Sequence, residues 1–391
     1  MRTRIVSLII VAIAAAGCSR QSFERFFTRG ERFLTAKRYA EAAIEFENAA
    51  RANPQSIASQ MKLGDAYAAL GQQTNAAAAY QRACALDQRD VAACVRSGAA
   101  LLAIGDYDTA ASEARGVLAA DRFNLDAQLI LASALSGVRR FADAEERLKA
   151  AIATAPQDPR VYKALSTVQL RRGNAKAAEA SLIQTIKLDP AATDARVSLA
   201  QLYLQMGRAA DGEKQLRDAL AIAPDDLEAN KTYASYLVTT NDCADAEKYW
   251  QTVAAKSPDD SGYLSLADYY VWSGRPDDAL RVLSKVAAKD QGGAARVRVA
   301  SILYDRGERS KAAEMVDEVL THDQSSLNGL LLKARISLDN GDAAAARDYT
   351  HRAAEVDPDA PAVREMAAPF AHCTFLPLPE GRAGAPAPKL P

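Results

Sequence analysis

Apolar, small and turn-forming positions return along this chain with one spacing, close to 34 residues. Gly71, Gly105, Gly173, Gly207, Gly274, Gly307 and Gly341 keep step at 34, 68, 34, 67, 33 and 34 residues, with single-residue slips near Gly262 and Gly292–Gly293. Lys37, Arg139 and Asn241 stand at the missing beats. Seven residues before each beat lies a small residue: Gly30, Gly64, Gly98, Ala132, Ser166, Ala200, Ala234, Ala267, Ala300 and Ala334. Five after it lies another: Ala42, Ala76, Ala110, Ala144, Ala178, Gly212, Ala246, Ala279, Ala312 and Ala346. Two unbroken small columns mark where paired helices cross too closely for a larger side chain.

Large residues keep their own columns. Phe33, Tyr67, Leu101, Leu135, Tyr203, Leu237, Tyr270 and Leu303 follow the first small column by one helical turn and share its face. Phe46, Tyr80, Leu148, Leu182, Leu216, Trp250, Leu283 and Val316 do the same for the second. Pro54, Pro156, Pro190, Pro224, Pro258 and Pro358 close one period and open the next, since proline stops a helix. The pattern predicts antiparallel pairs of amphipathic helices. Gln169, Ser337, Ala114 and Thr350 replace expected large apolar residues, so the third, fifth and tenth pairs are expected to pack less firmly.

These columns resemble the tetratricopeptide repeat: a small residue, an aromatic or Leu, a turn Gly, an Ala, an aromatic or Leu, and a closing Pro. The resemblance covers about ten repeats, at roughly 23–56, 57–90, 91–124, 125–158, 159–192, 193–226, 227–259, 260–292, 293–326 and 327–360. It implies an all-α, right-handed superhelical solenoid, because a lone hairpin cannot bury its apolar face and stacking makes the core. It also implies that first helices line a concave groove and hold the ligand. Carried over residue by residue, the pattern selects Arg160, Lys163, Arg171, Lys231, Trp272 and Tyr304, a cationic patch beside exposed aromatics that suits an acidic or extended peptide. The column where the carboxylate-clamping members of the family carry Asn reads Glu31, Asp65, Ala99, Ser133, Thr167, Gln201, Ser235, Asp268, Ser301 and Arg335, which argues against that clamp.

Composition agrees with an all-helical chain. Of 391 residues about half are apolar, weighted towards Ala, the best helix former. Lys and Arg number 48 against 49 Asp and Glu, a formal charge of -1, so no whole-molecule field draws in nucleic acid.

The two ends differ from the array. Arg2 and Arg4 precede an apolar run from Ile5 to Ala16, the layout of a signal peptide over residues 1–17 and too short to span a bilayer. Ala15-Ala16-Gly17-Cys18 resembles the bacterial lipobox, which implies acylation of Cys18 as the mature N-terminus, with 18–22 as a linker. Ser19 at the next position implies sorting to the outer membrane, facing the periplasm; the alternative is ordinary cleavage and a soluble periplasmic or secreted protein. After Pro358 a capping helix is expected over 361–373, followed by a Pro-rich flexible tail over 374–391.

Chemistry is sparse. His322, His351 and His372 have no ligand set beyond the adjacent Cys373, and paired acids such as Asp225–Asp226 fit helix starts, so neither metal, cofactor nor catalytic group is expected. Cys84 and Cys94 lie about equally far from the turn near Arg89, so a disulfide or two small buried side chains are the alternatives. The reading is a non-enzymatic scaffold that binds envelope proteins of a secretion or assembly machine, such as pilus assembly, exopolysaccharide export or envelope maintenance. Its rival is a carbohydrate-binding protein that contacts a secreted polysaccharide.

Overall fold

The computed structural model describes residues 21–240, 242–290 and 293–361. The expected signal peptide, Cys18, the capping helix beyond 361 and the Pro-rich tail lie outside the described residues. What is described is helical throughout, in two compact units that divide between Ala195 and Arg196.

The first unit holds α1 (21–35), α2 (Tyr39–Ala52), α3 (Ile57–Ala69), α4 (Gln73–Leu86), α5 (Val91–Ala103), α6 (Tyr107–Ala120), α7 (Leu125–Gly137), α8 (Phe141–Thr154), α9 (Pro159–Arg171) and α10 (Ala175–Leu188). α11 (Thr193–Gln205) carries the unit boundary in its first turn. The second unit continues with α12 (Ala209–Ile222), α13 (Leu227–Thr239), α14 (Cys243–Lys256), α15 (Ser261–Trp272), α16 (Pro276–Ala287), α17 (Ala294–Asp305), α18 (Arg309–His322), α19 (Leu327–Asp339) and α20 (Ala343–Val356). Within each unit a helix packs on the next, and first helices of neighbouring hairpins also touch, as α5 does α7 and α17 does α19.

Helix starts are written into the sequence at the same spacing as the turns. Ser56, Asp90, Asn124 and Asp226 each accept a hydrogen bond from a backbone N–H in the first turn of α3, α5, α7 and α13. Such caps satisfy amides that the helix leaves unpaired. Turns inside the hairpins need a left-handed residue, and Gly71 supplies it at φ 75°. Lys37 and Arg139 stand at the same beat with φ 58° and 62°, where a Cβ is penalised.

Both small columns are buried, from Gly30 to Ala334 and from Ala42 to Ala346. Space there is already taken: a Cβ on Gly64 would sit 2.5 Å from the Tyr80 ring, and one on Gly30 would sit 2.7 Å from Phe46. The large column of the second helices forms the centre of the core, with Phe46, Leu148, Leu216, Leu283 and Val316 wholly enclosed. The spacing slips are absorbed at helix ends, since α15, α16 and α17 have 12 residues where most others have 13 or 14. Gln169 is buried without an apolar partner column, and Ser181 of α10 donates to its side-chain oxygen at 2.8 Å. That bond satisfies both buried polar groups across the hairpin.

Tyrosines tie one element to the next through carboxylates. Tyr67 donates to Glu47, Tyr80 to Asp65 at 2.8 Å, and Tyr270 to Glu247 at 2.8 Å. Burial, and then the adjacent carboxylate, push the Tyr67, Tyr80 and Tyr304 phenols up to about 12.

Two predictions follow from this packing. Arg139→Gly is expected to stabilise the first unit by up to about 1 kcal/mol, whereas Leu148→Ala is expected to cost about 2–5 kcal/mol, both read by denaturant unfolding. The raised phenol pKa values favour the neutral form in the folded state, so their stabilisation is complete below pH 10 and is lost as pH rises through about 12. Unfolding curves collected across that range should show falling stability, and Tyr304→Phe should reduce the slope; a flat profile would contradict the assignment.

Candidate functional site

Three of the selected cations lie on α9, and each is already engaged. Arg160 forms ion pairs with Asp158 at 2.8 Å and with Asp126 of α7 at 2.7 Å. The Asp158 bond, followed by Asp126, raises the Arg160 pKa further, and Arg160 in turn holds Asp158 below the usual carboxylate range. Lys163 pairs with Asp194 at the start of α11. Arg171 donates to Ser136 of α7 at 3.2 Å and lies 5.9 Å from the Phe141 ring centre. The three α9 cations of the expected patch thus each contact a neighbouring hairpin.

The same arrangement recurs along other first helices. Asp65 pairs with Arg96, Asp268 with Arg298 at 2.7 Å, and Asp305 with Arg335 at 3.2 Å. Each pair joins consecutive hairpins and leaves its carboxylate or cation partly in solvent. Exposed pairs of this kind contribute little individually and are screened by salt. Their effect on a ligand is larger, because a cation with a partner is not a free binding group.

Tyr304 requires a correction. It was expected to be exposed, yet it is 4% accessible, with its hydroxyl donating to Asp339 of α19. The ring fills the position held by Leu102, Leu170, Leu204, Val238 and Val271 in other hairpins. Trp272 differs, remaining 39% exposed at the end of α15, and Lys231 on α13 is exposed. These two, both in the second unit, are the selected residues that the structure leaves open to a ligand.

Sequence reasoning missed a cleft of 290 Å³ in the same unit. α14 contributes Gln251, Ala254 and Ala255, α15 contributes Tyr263 and Tyr270, and α16 contributes Arg281 and Lys285 to its walls. Small side chains on α14 and the short α16 leave this space, and only the 33-residue spacing hinted at it. Lys285 lies 5.8 Å from the Tyr263 ring centre, while Arg281 pairs with Asp278 at 2.8 Å.

Cys84 near the end of α4 and Cys94 at the start of α5 have Cα atoms 4.6 Å apart, with their sulfurs joined in the structure. Among the described residues no group of three or more His, Cys, Asp or Glu side chains could hold a metal ion.

Comparison with known proteins places the repeats. Two family models, each described as tetratricopeptide repeat, match residues 101–167 and 169–236, and residues 27–91, 234–294, 264–328 and 300–361. No curated protein matches the chain. A tetratricopeptide repeat protein from Parabacteroides merdae is 15% identical and superposes with a TM-score of 0.53, over 64% of this chain and 99% of that one. A thermophilic TPR protein of Thermus thermophilus is 27% identical at a TM-score of 0.43, over 47% of this chain and 100% of its own. PilF of Pseudomonas aeruginosa is 20% identical at a TM-score of 0.41, over 53% of this chain and 95% of its own. With repeat matches running from residue 27 to residue 361, interrupted only briefly, this chain belongs to the tetratricopeptide repeat family.

Proposed function

We propose that the chain is a non-enzymatic scaffold of the bacterial cell envelope, which recruits protein partners of a secretion or assembly machine through the first-helix groove of its repeats. The observation that carries this reading is the contrast within that row. Most of its named charges are spent on neighbouring hairpins, while Trp272 and Lys231 stay open in the second unit. An exposed tryptophan with a cation in the same unit suits an extended peptide with apolar and acidic side chains. A polysaccharide platform would need a rank of exposed rings, and among the described residues only Phe123 and Trp272 are exposed aromatics, one in each unit.

The domain plan follows the ruler: ten repeats from about 23 to 360, a capping helix over 361–373 and a tail over 374–391. Acylation at Cys18 would place the array at the outer membrane, facing the periplasm. The Cys84–Cys94 geometry supports an extracytoplasmic site, because disulfides persist in oxidising compartments. Among the described residues no helix is long and apolar enough to cross a membrane.

Charge reversal at Arg160 and Lys163 would set new carboxylates against Asp126, Asp158 and Asp194, so loss of binding there would report on folding. The surface test is capture from detergent-solubilised membranes, comparing wild type with Lys231→Glu/Trp272→Ser. An envelope protein recovered with wild type and reduced about tenfold or more in the variant is expected, since a central aromatic anchor is worth about 2 kcal/mol or more. Equal recovery in both rejects the site. Polysaccharide binding without any captured protein replaces the reading with the carbohydrate one. Mass spectrometry of the chain from the envelope fraction should show Cys84 and Cys94 peptides linked and Cys18 carrying an acylated mass; free thiols at 84 and 94 would reject the bond.

A further inference from the structure

We infer that α1 is a bilayer-facing helix, whose cationic stripe rests on anionic phospholipid headgroups beside the acylated N-terminus. This rests on the Cys18 reading for its distance to the membrane, but its charge and geometry are those of the described helix.

Residues 19–38 contain six basic residues and two acidic ones, in a chain whose totals are balanced at 48 against 49. Arg25, Arg29 and Arg32 fall at i, i+4 and i+7, which makes one stripe along α1, and all three are exposed. Phe26 follows Arg25 by one residue and borders that stripe, half-buried, while Phe33 packs inward against the core. Phe27, Gly30 and Leu34 occupy the opposite side, where Phe27 meets the Phe46 ring edge-on with centres 5.6 Å apart. The helix therefore spends one face on its hairpin partner and presents another made of arginine and half-buried phenylalanine.

The charges on that outer face are consumed only in part, unlike those on α9. Arg29 pairs with Glu45 at 2.7 Å, and Arg38 with Glu41 at 2.7 Å. Among the described residues Arg25, Arg32 and Lys37 have no carboxylate partner, and the Arg25 guanidinium lies 5.0 Å from the centre of the Phe26 ring. Arginine beside aromatic rings is the chemistry of an interfacial helix: rings sit at the headgroup level and guanidinium groups meet phosphate. Distance favours the same occupant. Residue 21 is three residue steps from Cys18, at most about 10 Å of extended chain, so an acyl chain in the bilayer holds α1 within about one Debye length of the surface.

The test uses the mature chain with Cys18→Ser, which removes acylation, and vesicles of phosphatidylethanolamine with or without phosphatidylglycerol. Sedimentation should show binding only to the anionic vesicles, weakened by salt. Arg25→Gln/Arg32→Gln/Lys37→Gln should bind less tightly by about fivefold for each cation removed, with helicity unchanged by circular dichroism; Arg25→Lys/Arg32→Lys should retain binding. Equal binding of wild type and the Gln variant, or equal binding to both vesicle types, overturns the inference. A variant that alters only self-association in vesicle-free buffer also overturns it and assigns the face to a second copy. Acylation is measured separately, as the mass of Cys18 in the wild-type chain, so failure of the anchor and failure of this surface give different results.

Discussion

Everything in this protein depends on how closely two helices approach at the small-residue columns. Gly30 lies under the Phe46 ring and Gly64 under the Tyr80 ring, with no room for one more carbon. Such contact makes a hairpin, but a hairpin of two short helices leaves its other apolar side in water. Stacking covers that side. The helix lengths, the capping side chains and the left-handed turn residues all serve the repetition of this one contact, and where a residue is lost from the spacing the helix ends shorten while the contact is kept.

Stacking then decides the surface. Bringing first helices side by side sets each hairpin's acids and bases within reach of the next, and they pair: Asp126 with Arg160, Lys163 with Asp194, Asp268 with Arg298. What remains available is what lacks a complement one hairpin away. Trp272 and Lys231 are in that position in the second unit, and Arg25 and Arg32 on α1, with Lys37 in the turn after it, are in that position among the described residues. One rule accounts for the candidate groove and for the candidate membrane face.

The fold was legible because it is written ten times over. Gly64 or Ala312 alone says little, but their columns admit no large residue anywhere. The site was less legible, because a repeat pattern tells which helix face a residue is on and not what stands opposite. Asp126 and Arg160 do stand 34 residues apart in one column, which foretells their pairing once consecutive first helices are set side by side, whereas Asp194 in the same column is taken by Lys163, one turn further along α9. Tyr304 was readable in part: the apolar residues Leu170, Leu204, Val238 and Val271 at its register position mark a half-buried site, and Tyr304 is buried further. The cleft beside Tyr263 had no such signature, since it arises from two small alanines and a shortened helix in different repeats.

The paired row on the first helices also bears on selectivity. A carboxylate that reaches Lys163 must evict Asp194, and the evicted charge stays close enough to repel the newcomer, so a uniformly acidic ligand exchanges one neutralisation for another and gains nothing. A strand that carries acid and base alternately, in step with hairpins roughly 10 Å apart, closes as many contacts as it opens. Such a row filters ligands by the order of their charges, while their net charge counts for little.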